Sequence, residues 1–342
     1  MKMRRSLAVL CVLMLIAGVF AGCGGAGSSK RIVRIGHNQS TAHPSHIALE
    51  AFADYINNSE LGEKYEVQVY PSELLGSQNE MVQLTQTGAI DFVIASNAIM
   101  ETFSKNYSIF NLPFLFSSAE AYHAAMDDPS LTDPIFLATE DAGFRTVTWL
   151  DAGTRNFYTV DKPIEKPEDL KGLKIRVQQS PTNIAMMNAF GGSATPMGFG
   201  EVYTALQSNI IDGAENNEMA LTDNGHGDVC KHYSYDMHQM VPDLLLGNVA
   251  FLNGLPEEEY AVFEEGFKLI NKVQREEWTK AVENAKNKAQ NEMGVNFYYP
   301  DTAPFQEACM PIHDSVVKGN AILEDIYAKI TAYNEQYRAV AE

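Results

Sequence analysis

Cysteine is scarce: 342 residues carry four, and two of those, Cys11 and Cys23, fall at the extreme N-terminus. The remaining pair, Cys230 and Cys309, is too small a set for a disulfide framework, and whether the two join is left open. Catalytic and nucleotide signatures are missing as well. There is no Gly-x-Ser-x-Gly elbow and no Gly-x4-Gly-Lys-Ser/Thr phosphate loop. The stretch "GFGEVY" (Gly198, Gly200) lacks the third glycine of a dinucleotide loop, and no strand leads directly into it. Carboxylates are too many for any catalytic pair to stand out by spacing, so no catalytic residue is assigned. Metal spacing is absent too. "HNQSTAHPSH" supplies His37, His43 and His46, and "HGDVCKH" supplies His226, Cys230 and His232. Neither follows a zinc-finger or His-Glu-x-x-His pattern, and these histidines read as surface side chains. No metal and no cofactor are called for.

Basic residues are also few. Lysine and arginine number 25 against 44 acids, a formal charge of −19. That balance argues against nucleic-acid binding and against a basic membrane-adhesion surface. It leaves room for an anionic ligand, because exposed charges are screened beyond about 8 Å at physiological salt. Beyond the first apolar run nothing approaches 18 uninterrupted apolar residues, so no second membrane segment is expected.

What is present begins with "MKMRRSLAVLCVLMLIAGVFAGCGGAGSSK". Lys2, Arg4 and Arg5 form a basic region, Leu7 to Phe20 an apolar one, and Ala21-Gly22-Cys23 a small-residue cleavage site. Residues 1–22 read as a secretory signal that is not part of the fold. Cysteine directly after Ala-Gly, followed by "GGAGSS", resembles a bacterial lipoprotein processing site, although Phe20 stands where leucine is usual. Cys23 would then carry the lipid and residues 23–30 would form a flexible tether.

The mature chain suits two packed domains on a prior of roughly 150 residues each. "RIVRIGH", "YEVQVYP" and "AIDFVIAS" read as strands. Between them, "PSHIALEAFADYINNS" and "SQNEMVQLTQTG" read as helices, the second stopped by Gly88. That βαβαβ succession implies an α/β fold, a sheet with helices on both faces. "LKGLKIRVQ", "ATPMGFGEVYTALQSN" and "IIDGAENN" repeat strand, helix and strand, with the boundary near "TWLDAGTRN". From Leu255 to about Met293 the chain is charged and helical in period, with Pro256 and three glutamates suited to its first turn. The expected division is a first lobe over 31–152, a second-lobe core over 153–239, and a crossing strand, long helix and C-terminal helices over 240–342. Two α/β units joined by crossing segments leave a cleft between them.

Two arginines draw attention. Alternation in "GLKIRVQ" puts Lys174, Arg176 and Gln178 on the face opposite Leu173, Ile175 and Val177. That face is either wet or turned into a cleft. Arg155, in "DAGTRNFYT", follows a small turn at the proposed boundary. A planar guanidinium holds a carboxylate through two parallel hydrogen bonds, so two arginines on one cleft suggest an organic acid.

"YPSELLGSQNEM", "LPFLF", "PEDLKGLKIRV" and "ATPMGFGEVYTALQSNIIDGAEN" together resemble the solute-binding receptors of tripartite ATP-independent periplasmic (TRAP) transporters. The resemblance runs from about Arg31 to past Leu255. It implies a two-lobe periplasmic-binding-protein-like fold, a small organic acid as ligand, membrane permease subunits as partners and no enzymatic turnover. It places the main carboxylate anchor on Arg176, a helper amide on Asn216, a second anchor on Arg155 and a ligand-packing ring on Phe199. Asn38, Gln78, Ser96 and Asp243 match pocket-lining positions. "DAGTRNFYT", "KIRVQQSP" and "GAENN" look most like the uronate-binding branch, and Gln178, Asn217 and Gln78 would suit several hydroxyls. A dicarboxylate or keto acid is the alternative ligand. Ser96 stands where sialic-acid receptors have an acid, which counts against sialate. The expected receptor is a lipid-anchored monomer outside the cytoplasmic membrane; a sensor of the same fold, or a secreted sugar-acid enzyme, are the competing readings.

Overall fold

The computed structural model describes residues 30–341; the signal, Cys23 and the tether up to Ser29 lie outside the described residues. Eleven strands occur among the described residues: β1 (Arg31–Gly36), β2 (Tyr65–Tyr70), β3 (Phe92–Ser96), β4 (Phe144–Leu150), β5 (Arg155–Thr159), β6 (Lys174–Val177), β7 (Ser193–Pro196), β8 (Gly213–Asn216), β9 (His232–Gln239), β10 (Asp243–Asn248) and β11 (Asn296–Tyr298). They form two sheets, β2-β1-β3-β10-β4 and β11-β9-β5-β8-β6-β7. In the first, β1 runs parallel to β2 and β3 while β10 is antiparallel to β3 and β4. In the second, β8, β6 and β7 are mutually parallel and β5 is antiparallel to β8 and β9. The molecule is thus two α/β lobes. The chain crosses between them at 151–154 and again at 240–242.

Local chemistry explains the elements that position the cleft. Helix α1 (Pro44–Asn57) starts where Pro44 can no longer donate a hydrogen bond, and the His43 side chain accepts from the Ser45 amide. Its Ala48, Leu49, Phe52, Ala53 and Ile56 recur at helical spacing and are buried against the first sheet. Helix α2 (Gln78–Thr87) opens on a capping box: Ser77 N donates to Glu80 Oε2 at 2.8 Å and Glu80 N to Ser77 Oγ at 3.4 Å. It closes at Gly88, whose φ of 75° is the left-handed conformation that glycine adopts without strain. Helix α3 (Asn97–Met100) continues directly from β3, and helix α4 (Pro181–Ala189) follows β6.

The long helix predicted over the charged stretch is α5 (Glu257–Asn291). Its first-turn Glu259 takes Lys64 Nζ at 2.5 Å and the Tyr65 hydroxyl at 2.6 Å. Phe263, Phe267 and Ile270 pack on α1 and the first sheet, whereas Ala289 packs with second-lobe residues such as Tyr158 and Leu206. One helix therefore spans both lobes. No described helix is long and apolar enough to cross a membrane.

Two expectations need correcting. "ATPMGFGEVYTALQSN" is not one helix between strands. Ser193–Pro196 pairs with β6 as an edge strand, Phe199–Glu201 makes a single tight turn, and only Val202–Gln207 is α-helical. Pro196 ends the strand and two glycines delay the helix. The histidines are not surface side chains: His37, His43 and His226 are buried. His37 Nε2 meets His46 Nδ1 at 3.0 Å, and His226 Nδ1 meets the Tyr158 hydroxyl at 2.8 Å. Both remaining cysteines, Cys230 and Cys309, are buried and free.

Candidate functional site: a cleft between the lobes

The strand ends that carry chemistry converge. Ser96 closes β3, Asp243 opens β10 beside it, Arg155 opens β5, Asn216 closes β8, and Arg176 is next to last in β6. Ligands of open α/β sheets gather at the carboxyl ends of the parallel strands, here β3, β6 and β8, which the amino ends of the antiparallel β10 and β5 adjoin. Here they border a cleft whose empty space, open solvent at its mouth included, is about 620 Å3. Asn38, Gln78, Ser96 and Asp243 line it from the first lobe, and Arg155, Arg176, Phe199 and Asn216 from the second. The structure brings all eight sequence-derived candidates to one place.

Arg176 is 3% exposed. Its Nε and Nη2 both donate to the Met197 carbonyl, at 3.2 and 2.9 Å, and its guanidinium carbon lies 5.7 Å from the centre of the Phe199 ring. Among the described residues no carboxylate lies within ion-pair distance of it. Burial pulls its pKa down, partly opposed by the more distant Glu215. Of the β6 face expected to be wet or ligand-facing, only Lys174 is exposed; Arg176 and Gln178 are buried, the first against Met197 and Phe199 and the second beside Asn183.

Arg155 is differently engaged. Its Nε donates to Glu215 Oε2 at 2.5 Å, its Nη2 to the Glu215 carbonyl at 2.8 Å and its Nη1 to Asn216 Oδ1 at 3.1 Å. Glu215 is fully buried, which would raise its pKa, but Arg155 and then His238 win and hold it at about 2. His238 Nε2 stands 3.5 Å from Glu215 Oε2, an ion-pair separation longer than a good hydrogen bond, while Nδ1 meets Asp236 Oδ2 at 2.7 Å. Asp236 and Glu215 outweigh burial and push His238 up to about 9. Arg155 thus arrives with its charge already matched. It orients Asn216, whose Oδ1 also accepts from Asn217 N at 2.9 Å, so the free amide nitrogen of Asn216 is the group turned to the cleft.

On the first lobe, Gln78 Oε1 accepts from Ser96 N at 3.1 Å, leaving its NH2 available. Asn38 is 7% exposed, and its Oδ1 has no partner within the protein. No described group donates to the Asp243 carboxylate. Burial pushes that carboxyl up to about 6, with Arg155 opposing and Asp151 adding to the shift. Asn217, expected to serve hydroxyls, is spent: Nδ2 donates to the Ala152 carbonyl at 3.1 Å and Oδ1 accepts from Met219 N at 3.1 Å.

Several lining groups escaped the sequence reading. His43 and Trp278 meet edge to face, ring centres 5.7 Å apart, and form one wall. Burial, then His46, holds His43 neutral, its pKa near 3. Asn79 Nδ2 donates across the cleft to Gln179 Oε1 at 2.6 Å. The Glu215–His238–Asp236 chain was missed because Glu215 lies on β8 and its two partners on β9; only Glu215's place beside Asn216 in "GAEN" hinted at it. No group of three or more His, Cys, Asp or Glu that could hold a metal occurs among the described residues. Buried guanidinium, amides, one carboxyl and an aromatic wall can hold a polar anion.

Known proteins bear this out at the level of family. Residues 35–320 match the family described as DctP, bacterial extracellular solute-binding protein, family 7. An uncharacterized Salmonella typhimurium protein, YiiZ, is 42% identical over 274 residues, 80% of this chain and 84% of its own. A crystal structure of a TRAP periplasmic solute-binding protein from Anaerococcus prevotii, with bound α/β D-glucuronate, is 63% identical with a TM-score of 0.89, covering 90% of this chain and 99% of that one. A Xanthobacter autotrophicus counterpart with bound β-D-galacturonate is 33% identical with a TM-score of 0.84, covering 88% and 99%. A two-lobed α/β chain with its polar cleft between the lobes, matched along this length, belongs to family 7 of the bacterial extracellular solute-binding proteins, the extracytoplasmic receptors of TRAP transporters.

Proposed function

We propose that the protein captures a hexuronate, D-glucuronate or D-galacturonate, and delivers it to the membrane permease subunits of a TRAP transporter without chemical turnover. The observation that carries this reading is Arg176: a buried guanidinium facing the cleft with no carboxylate of its own. A buried charge is costly unless paired, and a ligand carboxylate supplies the missing partner through the free Nη1. Asn216 donates to the same carboxylate, and Phe199 covers the guanidinium. Asn38 and Asp243 accept from sugar hydroxyls while the Gln78 amide donates. His43 and Trp278 offer the ring its apolar wall. The ligand touches both lobes, so its contacts are complete only when the lobes are together, and binding selects that state.

The A. prevotii and X. autotrophicus proteins, with bound glucuronate and galacturonate, support this choice of acid. Calorimetric titration of ligand-free mature protein tests it: D-glucuronate or D-galacturonate binds and D-glucose does not. Binding of a small keto acid or dicarboxylate in their place would redirect the ligand; silence from every acid would refute the receptor reading.

The same proposal includes a monomeric receptor tethered by lipid on Cys23. Cell fractionation of a Cys23→Ser variant is expected to move the protein from the membrane to the soluble fraction; an unchanged distribution would remove the anchor.

A further inference from the structure

We propose that the cleft admits one negative charge and no more, with Asp243 as the residue that turns away acids bearing a second carboxylate. The inference rests on the hexuronate reading and sharpens it to sugar monoacids, excluding aldaric acids of the same carbon chain and short diacids alike.

Among the described residues two permanent cations line the cleft, Arg155 and Arg176. Arg155 is neutralised by Glu215 at 2.5 Å, a carboxylate held ionised by Arg155 itself and by His238. The His238 imidazolium is in turn matched by Asp236 at 2.7 Å. His43, the other basic group on the wall, is buried beside Trp278 with two further histidines behind it, and is neutral. Arg176 is the one unmatched positive group, and a single ligand carboxylate satisfies it. A second carboxylate on the same ligand finds no unmatched cation on any wall.

It finds instead a carboxyl. Asp243 opens β10 directly opposite Ser96 of β3, on the first-lobe side across from Arg176, and its side chain makes no hydrogen bond within the described protein. Asp151, itself joined to His123 at 2.7 Å, acts on it through space in the same direction as burial. A sugar hydroxyl donates to such a group. A second ligand carboxylate has no proton to offer it and meets like charge in a site largely shielded from water. Glu73, on the first-lobe loop after β2, also faces Arg176 through space, so the surroundings of the anchor are acidic beyond the one carboxylate it needs. Specificity of this kind comes from a repulsive element as much as from an attractive one.

The test compares acids that differ by one carboxylate, titrated calorimetrically at pH 7.5 into wild-type protein and the Asp243→Asn variant. D-Glucuronate, D-gluconate and D-glucarate form the first set, lactate and malate the second. In wild-type protein D-glucarate is expected to bind at least about a hundredfold more weakly than D-glucuronate, and more weakly than D-gluconate, its open-chain monoacid control. Asp243→Asn is expected to narrow the glucuronate-to-glucarate ratio by about tenfold or more, whatever it does to glucuronate alone. Glucarate binding wild-type protein within about threefold of glucuronate, or a ratio that the variant leaves unmoved, overturns the proposal. Should glucuronate itself fail to bind, the hexuronate reading falls. The charge rule is then decided by lactate against malate: preference for lactate upholds it, and equal or tighter malate binding refutes it. The wild-type comparison needs no variant, so a poorly folding Asp243→Asn protein would not shield the proposal.

Discussion

At the scale of the residue, the cleft contrasts two arginines. Arg155 is a structural cation with its own acid; Arg176 is an unpaired one waiting for a ligand. Arg176→Met should therefore do two opposite things. Ligand binding is lost, by about 3–5 kcal/mol for the unpaired carboxylate, while the ligand-free protein becomes no less stable or gains about 1–3 kcal/mol. Thermal melts with and without glucuronate read both; a variant destabilised when empty would show that Arg176 serves the fold. Asp243 gives a pH signature. Its carboxyl ionises at about 6 when folded against 3.8 as a free side chain, so the native state holds the proton more tightly. Ionisation of Asp243 therefore costs stability as pH rises from about 4 through 6, reaching roughly 3 kcal/mol at pH 7.5. Asp243→Asn is expected to stabilise the empty protein at pH 7.5, the gain shrinking to under about 1 kcal/mol by pH 4. Denaturant unfolding across that range checks it, and a gain independent of pH would contradict the assignment. Glu215 runs the other way: its stabilisation is present above its free value of 4.5 and is lost as pH falls towards 2.

At the scale of the element, regular periods were readable and interruptions were not. Ser77, Glu80 and Gly88 announce both ends of α2, and Pro256 with its three glutamates announces α5, because caps and dipoles act within a turn of their own residues. The strand–turn–helix around Pro196 was misread because what holds Ser193–Pro196 extended is pairing with β6, a contact outside the segment. The face of β6 was legible as a face, but its dryness was not, since the cover comes from Met197, Phe199 and Asn183, outside the strand itself. Arg176 and Arg155 stood out by strand alternation and by a boundary turn, while Asn216 and the remaining five candidates were found through motif resemblance. Glu215, His43 and Trp278 were not, since their roles follow from partners distant in sequence. Gln274 shows how far such partners reach. In the middle of α5 and fully buried, it accepts from Asp151 N at 3.1 Å and donates to Asp151 O at 2.6 Å, fixing the first crossing between lobes. Next to it Gly153, at φ 63°, lies so close to Trp278 that an added Cβ would stand 3.0 Å from the ring. Gln274→Ala leaves both Asp151 backbone groups unpaired and is expected to cost about 2–3 kcal/mol. It should also speed hydrogen exchange at 151–154, and exchange unchanged there would deny α5 this role.

At the scale of the whole molecule, the two lobes touch through polar contacts beside the cleft. Asn79 reaches Gln179, and Glu101 after α3 takes Ser180 Oγ at 2.5 Å and Thr182 Oγ1 at 2.8 Å at the start of α4. They flank one buried hydrophobic cluster that runs through both lobes, from Met81, Val93 and Tyr107 to Phe157, Ile175 and Met186, while the crossings and α5 tie the lobes along the chain. The proposed function rests on a ligand carboxylate completing the charge of Arg176. The measurement that bears on it most directly is a crystal structure of the protein with D-glucuronate. The expected result is a carboxylate about 3 Å from the Arg176 guanidinium and the Asn216 amide, with ring hydroxyls directed at Asp243 and Asn38. A sugar bound with its carboxylate elsewhere, and Arg176 still joined only to the Met197 carbonyl, would contradict it.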